Sequence, residues 1–173
     1  MGDLSGFIGT WEEQCKDGLD DMAKKLLKRP AGRLHCKVIY KSQTTEQFVV
    51  EADFIAPDLP EDTVKKYKET RTKISYTQKN DNSWQIDVGV VGGPTNQFNF
   101  ELGKSYKSND LDGTPMKSLI NAEGSTLKEE HTYEDGAMNG MNMAITRSIQ
   151  DDGAMRVETT MCGHTMVSLY KRA

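Results

Sequence analysis

The segment Ala144–Ala173 reads AITRSIQDDGAMRVETTMCGHTMVSLYKRA. Apolar and polar residues alternate along three short runs of this segment, and the turn-forming stretches QDDG and CG separate the runs. Alternation with a period of two is typical of β-strands that bury one face, and short polar turns join antiparallel neighbours. The end of the chain is therefore predicted to be a three-stranded antiparallel meander.

The same rhythm extends toward the N-terminus. A hairpin is predicted for HCKVIYK and QFVVEADFIAP around the polar SQTTE, and a first strand for Phe7–Glu13. The stretch DGLDDMAKKLLKRPAG has one apolar helical face, and LPEDTVKKYKE begins with proline and acids as helices do. Open sheet edges favour aggregation, so many consecutive strands favour closure. We predict one mainly β domain over residues 1–173, a calycin-like antiparallel up-and-down β-barrel of ten to eleven strands, with short capping helices and an extra helix near 60–69.

Composition excludes several classes of function. The 22 basic residues against 26 acidic residues give a net charge of −4, which argues against a nucleic-acid partner. No apolar run approaches the roughly 20 residues that cross a bilayer, and no export signal is visible. The odd number of cysteines favours free thiols in a reducing compartment, so a cytoplasmic location is predicted. The three cysteines and three histidines lack metal-ligand spacing, and no metal or cofactor is predicted.

Several stretches resemble the intracellular lipid-binding proteins, the family of fatty-acid-binding and cellular retinoid-binding proteins. These stretches are FIGTWEE at 7–13, LDGTPMKSLI at 111–120 and the segment from Thr146 to the end. The resemblance implies a ten-stranded barrel capped by two short helices. It also implies a ligand carboxylate held by an arginine on the eighth strand and an Arg-x-Tyr pair on the tenth. Arg147 and Tyr170 fall at two of these positions, and Ser168 replaces the second arginine.

Arg147 has two interpretations. Strand parity places it on an inward face with Met143, Ile145 and Ile149, where a guanidinium cannot lose its proton to avoid the cost of burial. It either anchors a ligand with an acidic or enolic head group, or pairs with a neighbouring glutamate or water. The anchor interpretation predicts a carrier or buffer for a fatty-acid-like or retinoid-like molecule.

Parity also predicts the remaining contacts with the ligand, while Trp11 is assigned to the core. No catalytic residue is predicted. The predicted ligand-binding residues are Arg147, Tyr170, Ser168 and Met166, with Val157, Thr159, Met161, Phe98, Phe100, Trp84 and Ile86.

Two other functions remain open. The layout also resembles the coelenterazine-using luciferases of deep-sea shrimp, which implies a cofactor-free, oxygen-dependent oxidation of a bound luciferin. A pigment or fluorogen holder would need the same cavity. The lysine-rich run KKYKE at 65–69 favours a transient contact with a membrane surface, or is an ordinary exposed helical face. The sequence does not predict an oligomeric state.

Overall fold

The computed structural model describes residues 3–18, 33–41, 47–55, 65, 69–111 and 113–173. Twelve strands and two short 3-10 helices are present in these ranges. The 3-10 helices are Ser5–Phe7 and Gly136–Met138. The strands are β1 Gly9–Asp17, β2 Arg33–Lys41, β3 Gln47–Ile55, β4 Thr72–Gln78, β5 Ser83–Val90, β6 Thr95–Glu101, β7 Ser105–Asn109, β8 Pro115–Glu123, β9 Thr126–Tyr133, β10 Asn142–Ile149, β11 Met155–Met161 and β12 His164–Arg172.

Ten strands form one antiparallel sheet in the order β6-β5-β4-β1-β12-β11-β10-β9-β8-β7. The first strand pairs with the last, so the sheet curls into a nearly closed barrel whose two edges are the consecutive strands β6 and β7. The predicted mainly β antiparallel barrel is confirmed. The hairpin predicted around SQTTE is also confirmed, as β2 and β3, and it forms a separate two-stranded sheet.

Strand β7 was not among the predicted strands. Its sequence SYKSN is short and polar, and its half-buried and buried side chains are Tyr106 and Ser108. An inward face without aliphatic residues gives no apolar alternation, and that alternation is the main signal for a strand.

The predicted helices lie largely outside the described residues. Of the stretch 60–69, only Lys65 and Glu69 are described, and both are helical and exposed. The capping helix predicted within residues 17–32 falls almost wholly outside the description. Across the described ranges, no helix has the length and apolar character to cross a membrane.

An apolar cluster closes one end of the barrel. Trp11 is fully buried there, its indole nitrogen donates to the Phe7 carbonyl oxygen at 2.8 Å, and the Arg172 guanidinium lies 4.5 Å above its ring. The core role predicted for Trp11 is confirmed. The buried members of this cluster are Leu4, Phe7, Trp11, Ile74, Tyr76, Trp84, Ile86, Phe100, Ile120, Leu127, Met155, Val157 and Tyr170.

The opposite end is less tightly filled. A smaller cluster of Met116, Tyr133 and Met141 lies there, and Met143 and Met161 pack against it while remaining half-buried. Along β11 and β12 the inward side chains become more exposed from the closed end toward this open end, and the polar site lies between the two clusters.

Candidate ligand-binding site

Three neighbouring strands build the wall that carries the candidate site. Arg147 of β10 is in register with Val157 of β11, and Val157 is in register with Ser168 of β12. All three side chains are buried and face the interior, because alternate residues of a strand point to the same side. The inward position that parity predicts for Arg147 is therefore confirmed.

Arg147 forms an ion pair with Glu129 of β9 inside the barrel. The Arg147 Nε lies 2.5 Å from Glu129 Oε1, and Nη2 lies 3.3 Å from Oε2. The two residues are only 5% and 2% exposed, so this pair is shielded from solvent. A two-point contact of this kind fixes the plane of the guanidinium as well as its position.

The ion pair keeps both groups charged. Burial raises the pKa of the Glu129 carboxyl, but the Arg147 charge and the hydrogen bonds from His131 and Arg147 outweigh that effect and lower the pKa to about 2. Burial lowers the pKa of Arg147, and the Glu129 charge more than reverses this, so the pKa is raised above its ordinary value.

A hydrogen-bonded chain leads from Glu129 to the edge strand β7. His131 Nε2 lies 3.2 Å from Glu129 Oε2, Nδ1 lies 2.7 Å from Ser118 Oγ, and the Ser118 and Ser108 hydroxyls are 2.6 Å apart. The carboxylate only accepts, so the imidazole donates to it from Nε2, and the two serine hydroxyls continue the chain to β7. Each of the four side chains in this hydrogen-bonded series therefore has a partner.

Tyr76 contacts the same carboxylate from β4, with its hydroxyl 3.3 Å from Glu129 Oε1. Burial raises the pKa of Tyr76 well above its ordinary value, so the phenol remains a donor. Glu129 is therefore the meeting point of side chains from three different strands.

Tyr170 belongs to a second polar group. Its hydroxyl lies 2.5 Å from Thr72 Oγ1, which is 3.1 Å from Glu13 Oε2, and the Thr72 backbone nitrogen donates to the same oxygen at 3.0 Å. Lys16 completes the group, with Nζ 3.1 Å from Glu13 Oε2. Since the Thr72 hydroxyl donates to Glu13, Tyr170 donates to Thr72. Burial, followed by the Glu13 charge, raises the pKa of Tyr170 to about 12.

A bulge in β1 makes this second group possible. The register with β12 shifts between Glu13 and Cys15. One extra residue changes which side of the sheet the following side chains face, so Glu13 and Lys16 both turn toward the interior although they are three positions apart.

Two buried donors have no hydrogen-bond partner within the part of the chain that the structure describes. They are Arg147 Nη1 and Trp84 Nε1. Buried polar groups in folded proteins are nearly always paired, so each such group requires an explanation. Nη1 lies away from the guanidinium edge that holds Glu129, because that edge consists of Nε and Nη2.

The other predicted site residues divide between the two ends. Trp84, Ile86, Phe100, Val157 and Tyr170 belong to the closed-end cluster, and Phe98 packs against it. Met161 packs against the open-end cluster, while Thr159 and Met166, aligned with each other, are half-buried on the inward face between the two ends. The structure thus places these residues along one interior surface, and their contact with a ligand remains a prediction.

Glu129 was not predicted by name, although a glutamate partner for Arg147 was one of its two interpretations. The available signal was strand parity: in β9, Leu127, Glu129, His131 and Tyr133 are all buried, while Lys128 and Glu130 are exposed. Two ionisable residues on an otherwise apolar inward face indicate a polar site, whatever their partners.

Comparison with known proteins supports the barrel fold and, over part of the chain, the sequence resemblance to fatty-acid-binding proteins. No family model matches the chain. Over 81 residues the chain is 33% identical to fatty acid-binding protein 5 of Pygoscelis papua, and this match covers 46% of the chain and 55%, about half, of that relative.

Two solved structures share the architecture over nearly the whole chain. Fatty-acid-binding protein 1 of Echinococcus granulosus superposes with a TM-score of 0.67 at 16% identity, covering 98% of this chain and 99% of its own. The Schistosoma mansoni fatty acid binding protein in complex with arachidonic acid gives 0.68 at 16% identity, with 99% of each chain covered. Identities this low show likeness of fold alone. The resemblance to the intracellular lipid-binding proteins is therefore confirmed, in the barrel along nearly the whole chain and in the sequence over 81 residues.

Proposed function

We propose that this protein binds a small hydrophobic or amphiphilic molecule inside its barrel and acts as a carrier or buffer for it. The observation that carries the proposal is the Arg147 Nη1 group, which is buried inside the barrel without a partner among the described residues. A buried donor left unpaired costs about 1 to 3 kcal/mol, and more when it is charged. A polar atom of a bound molecule would remove that cost.

The apolar wall around Arg147 supports the same function. Ile145, Ile149 and Val157 line the interior on either side of the guanidinium, and Phe98 and Phe100 face inward on β6. Each methylene of a ligand that leaves water against such a surface contributes about 0.8 kcal/mol. One polar contact inside an apolar wall is the arrangement that orients an amphiphile.

The relatives bear on the class of ligand. The Pygoscelis papua relative is named a fatty acid-binding protein, and the Schistosoma mansoni structure holds arachidonic acid. A hydrocarbon chain with one polar end is thus the ligand class that we propose here. We also propose a cytoplasmic location, which the exposed free thiol of Cys15 favours because such thiols persist in reducing compartments.

Nile red displacement tests the proposal. We expect delipidated protein to bind this uncharged dye and to release it when a long-chain amphiphile is added. Ile145→Trp should abolish binding because the new ring fills the interior beside Arg147. Ala144→Trp, one residue away on the exposed face, should bind normally. Equal binding by both variants would place the dye outside the barrel and contradict the proposal.

The luciferase alternative is tested on the same samples. Light on mixing with coelenterazine would favour it, and darkness with retained Nile red binding would favour the carrier function.

A further inference from the structure

We infer that the barrel selects ligands whose polar end is an uncharged hydrogen-bond acceptor, such as an alcohol or amide, over ligands that end in a carboxylate. This inference rests on the proposed function and names its ligand class more narrowly. It replaces the acidic or enolic head group that the sequence predicts.

The Arg147 charge is already neutralised by a partner of the protein itself. Glu129 engages both Nε and Nη2 at 2.5 and 3.3 Å, and both side chains are almost fully buried. A carboxylate at Nη1 would be a second anion on one guanidinium, close to the Glu129 carboxylate and shielded from water. Like charges at such a distance repel strongly in a medium of low dielectric constant.

Among the described residues, Lys16 and His131 are the other basic side chains near this site, and each of them contacts a buried carboxylate. The second buried pair joins Lys16 to Glu13 at 3.1 Å, so it is balanced as well. Ser168, which is 2% exposed and lies in the same row as Arg147 and Val157, presents a neutral hydroxyl. The Tyr170 hydroxyl donates its hydrogen bond to Thr72, so it is not an unpaired donor for a ligand.

One donor of Arg147 nevertheless remains to be satisfied. Nη1 is buried and has no partner among the described residues. A hydroxyl, amide or ketone oxygen accepts one hydrogen bond there and adds no charge to the site. The ion pair, the missing partner and the balanced interior together favour a neutral acceptor.

Competition among three ligands of equal chain length tests the inference: dodecanol, dodecanamide and dodecanoate, each displacing Nile red from delipidated protein at neutral pH. We expect the alcohol and the amide to bind at least about tenfold more tightly than the carboxylate. Glu129→Gln should reverse this order, because it leaves the Arg147 charge without a counter-ion while keeping a hydrogen-bond acceptor.

Glu130→Gln is the matched control, because Glu130 is the next residue of β9 and is exposed on the outer face. It should keep the wild-type order. Tighter binding of dodecanoate by the wild type would overturn the inference and leave the proposed function standing. Binding of neither Nile red nor any of the three would overturn both. If Glu129→Gln does not fold, the order of the three ligand affinities in the wild type tests the inference by itself.

Discussion

Arg147 of β10 and Glu129 of β9 face each other inside the barrel and are joined by two contacts of 2.5 and 3.3 Å. The register explains why they meet. Glu129 is directly opposite Ile145, so Arg147 lies one inward position further along β10, on the diagonal. Diagonal neighbours on one face of a sheet are within reach of long side chains.

Removing one partner of this pair should destabilise the protein strongly. Glu129→Ala leaves the buried Arg147 charge uncompensated, which should lower the free energy of unfolding by about 3 to 5 kcal/mol. The double variant Glu129→Leu with Arg147→Met removes both charges and should recover part of that loss, while His131 and Tyr76 lose their shared acceptor. Urea denaturation measures both values, and a double variant that loses as much free energy of unfolding as Glu129→Ala would contradict this prediction.

The ion pair should also set the response to acid. The pKa of Glu129 in the folded protein, about 2, lies below its ordinary value of 4.5, so its contribution is complete above pH 4.5 and is lost as the pH falls toward 2. The free energy of unfolding should fall by roughly 3 kcal/mol across this window from Glu129 alone.

The comparison variants for acid unfolding differ at adjacent positions. Glu129→Gln should lack this part of the pH dependence, and Glu130→Gln, exposed on the same strand, should retain it. Urea unfolding at several pH values between 2 and 5 supplies the measurement. Identical slopes for the two variants would show that Glu129 does not titrate as expected.

The Tyr170 and Thr72 hydroxyls, 2.5 Å apart, should be energetically coupled. Tyr170→Phe and Thr72→Val should each lower the free energy of unfolding by about 1 kcal/mol, and the double variant should lose less than the sum by a similar amount. Thermal and urea unfolding of the four proteins complete the cycle. Strict additivity would mean that the bond contributes nothing.

Trp84 should report on ligand binding, whereas Trp11 should not. Both tryptophans are buried, but Trp11 donates to Phe7 and is covered by Arg172 at the closed end, while Trp84 Nε1 has no partner among the described residues. A ligand should therefore change the emission of Trp84. Trp84→Phe should lose the spectral change on adding dodecanol, and Trp11→Phe should keep it. The opposite pattern would place the ligand beside Trp11 and contradict this prediction.

Much of the fold follows from local pattern. Alternation in segments such as Val157–Met161 and Trp84–Val88 predicts strands and their inward faces, because one buried face repeats every second residue. The same pattern does not predict strand β7, because its inward residues, Tyr106 and Ser108, include no aliphatic side chain. The helices predicted within residues 17–32 and near 60–69 lie largely outside the described residues.

The site is less predictable than the fold. Strand parity correctly predicts that Arg147 faces inward. The partner of Arg147 depends on the register between β9 and β10. The connection between these strands includes the 3-10 helix Gly136–Met138. Such a connection fixes the register through its own geometry, which the pattern of letters does not give. The bulge that brings Lys16 to Glu13 is also not predicted, because it too is a matter of register and not of residue pattern.

The most direct measurement of the central claim is native mass spectrometry of the purified protein, before and after organic extraction and again after adding dodecanol. We expect a single bound small molecule that extraction removes and dodecanol replaces, and we expect Ile145→Trp to remain empty throughout. A wild-type barrel that is empty as purified and takes up neither dodecanol nor dodecanoate would contradict ligand binding.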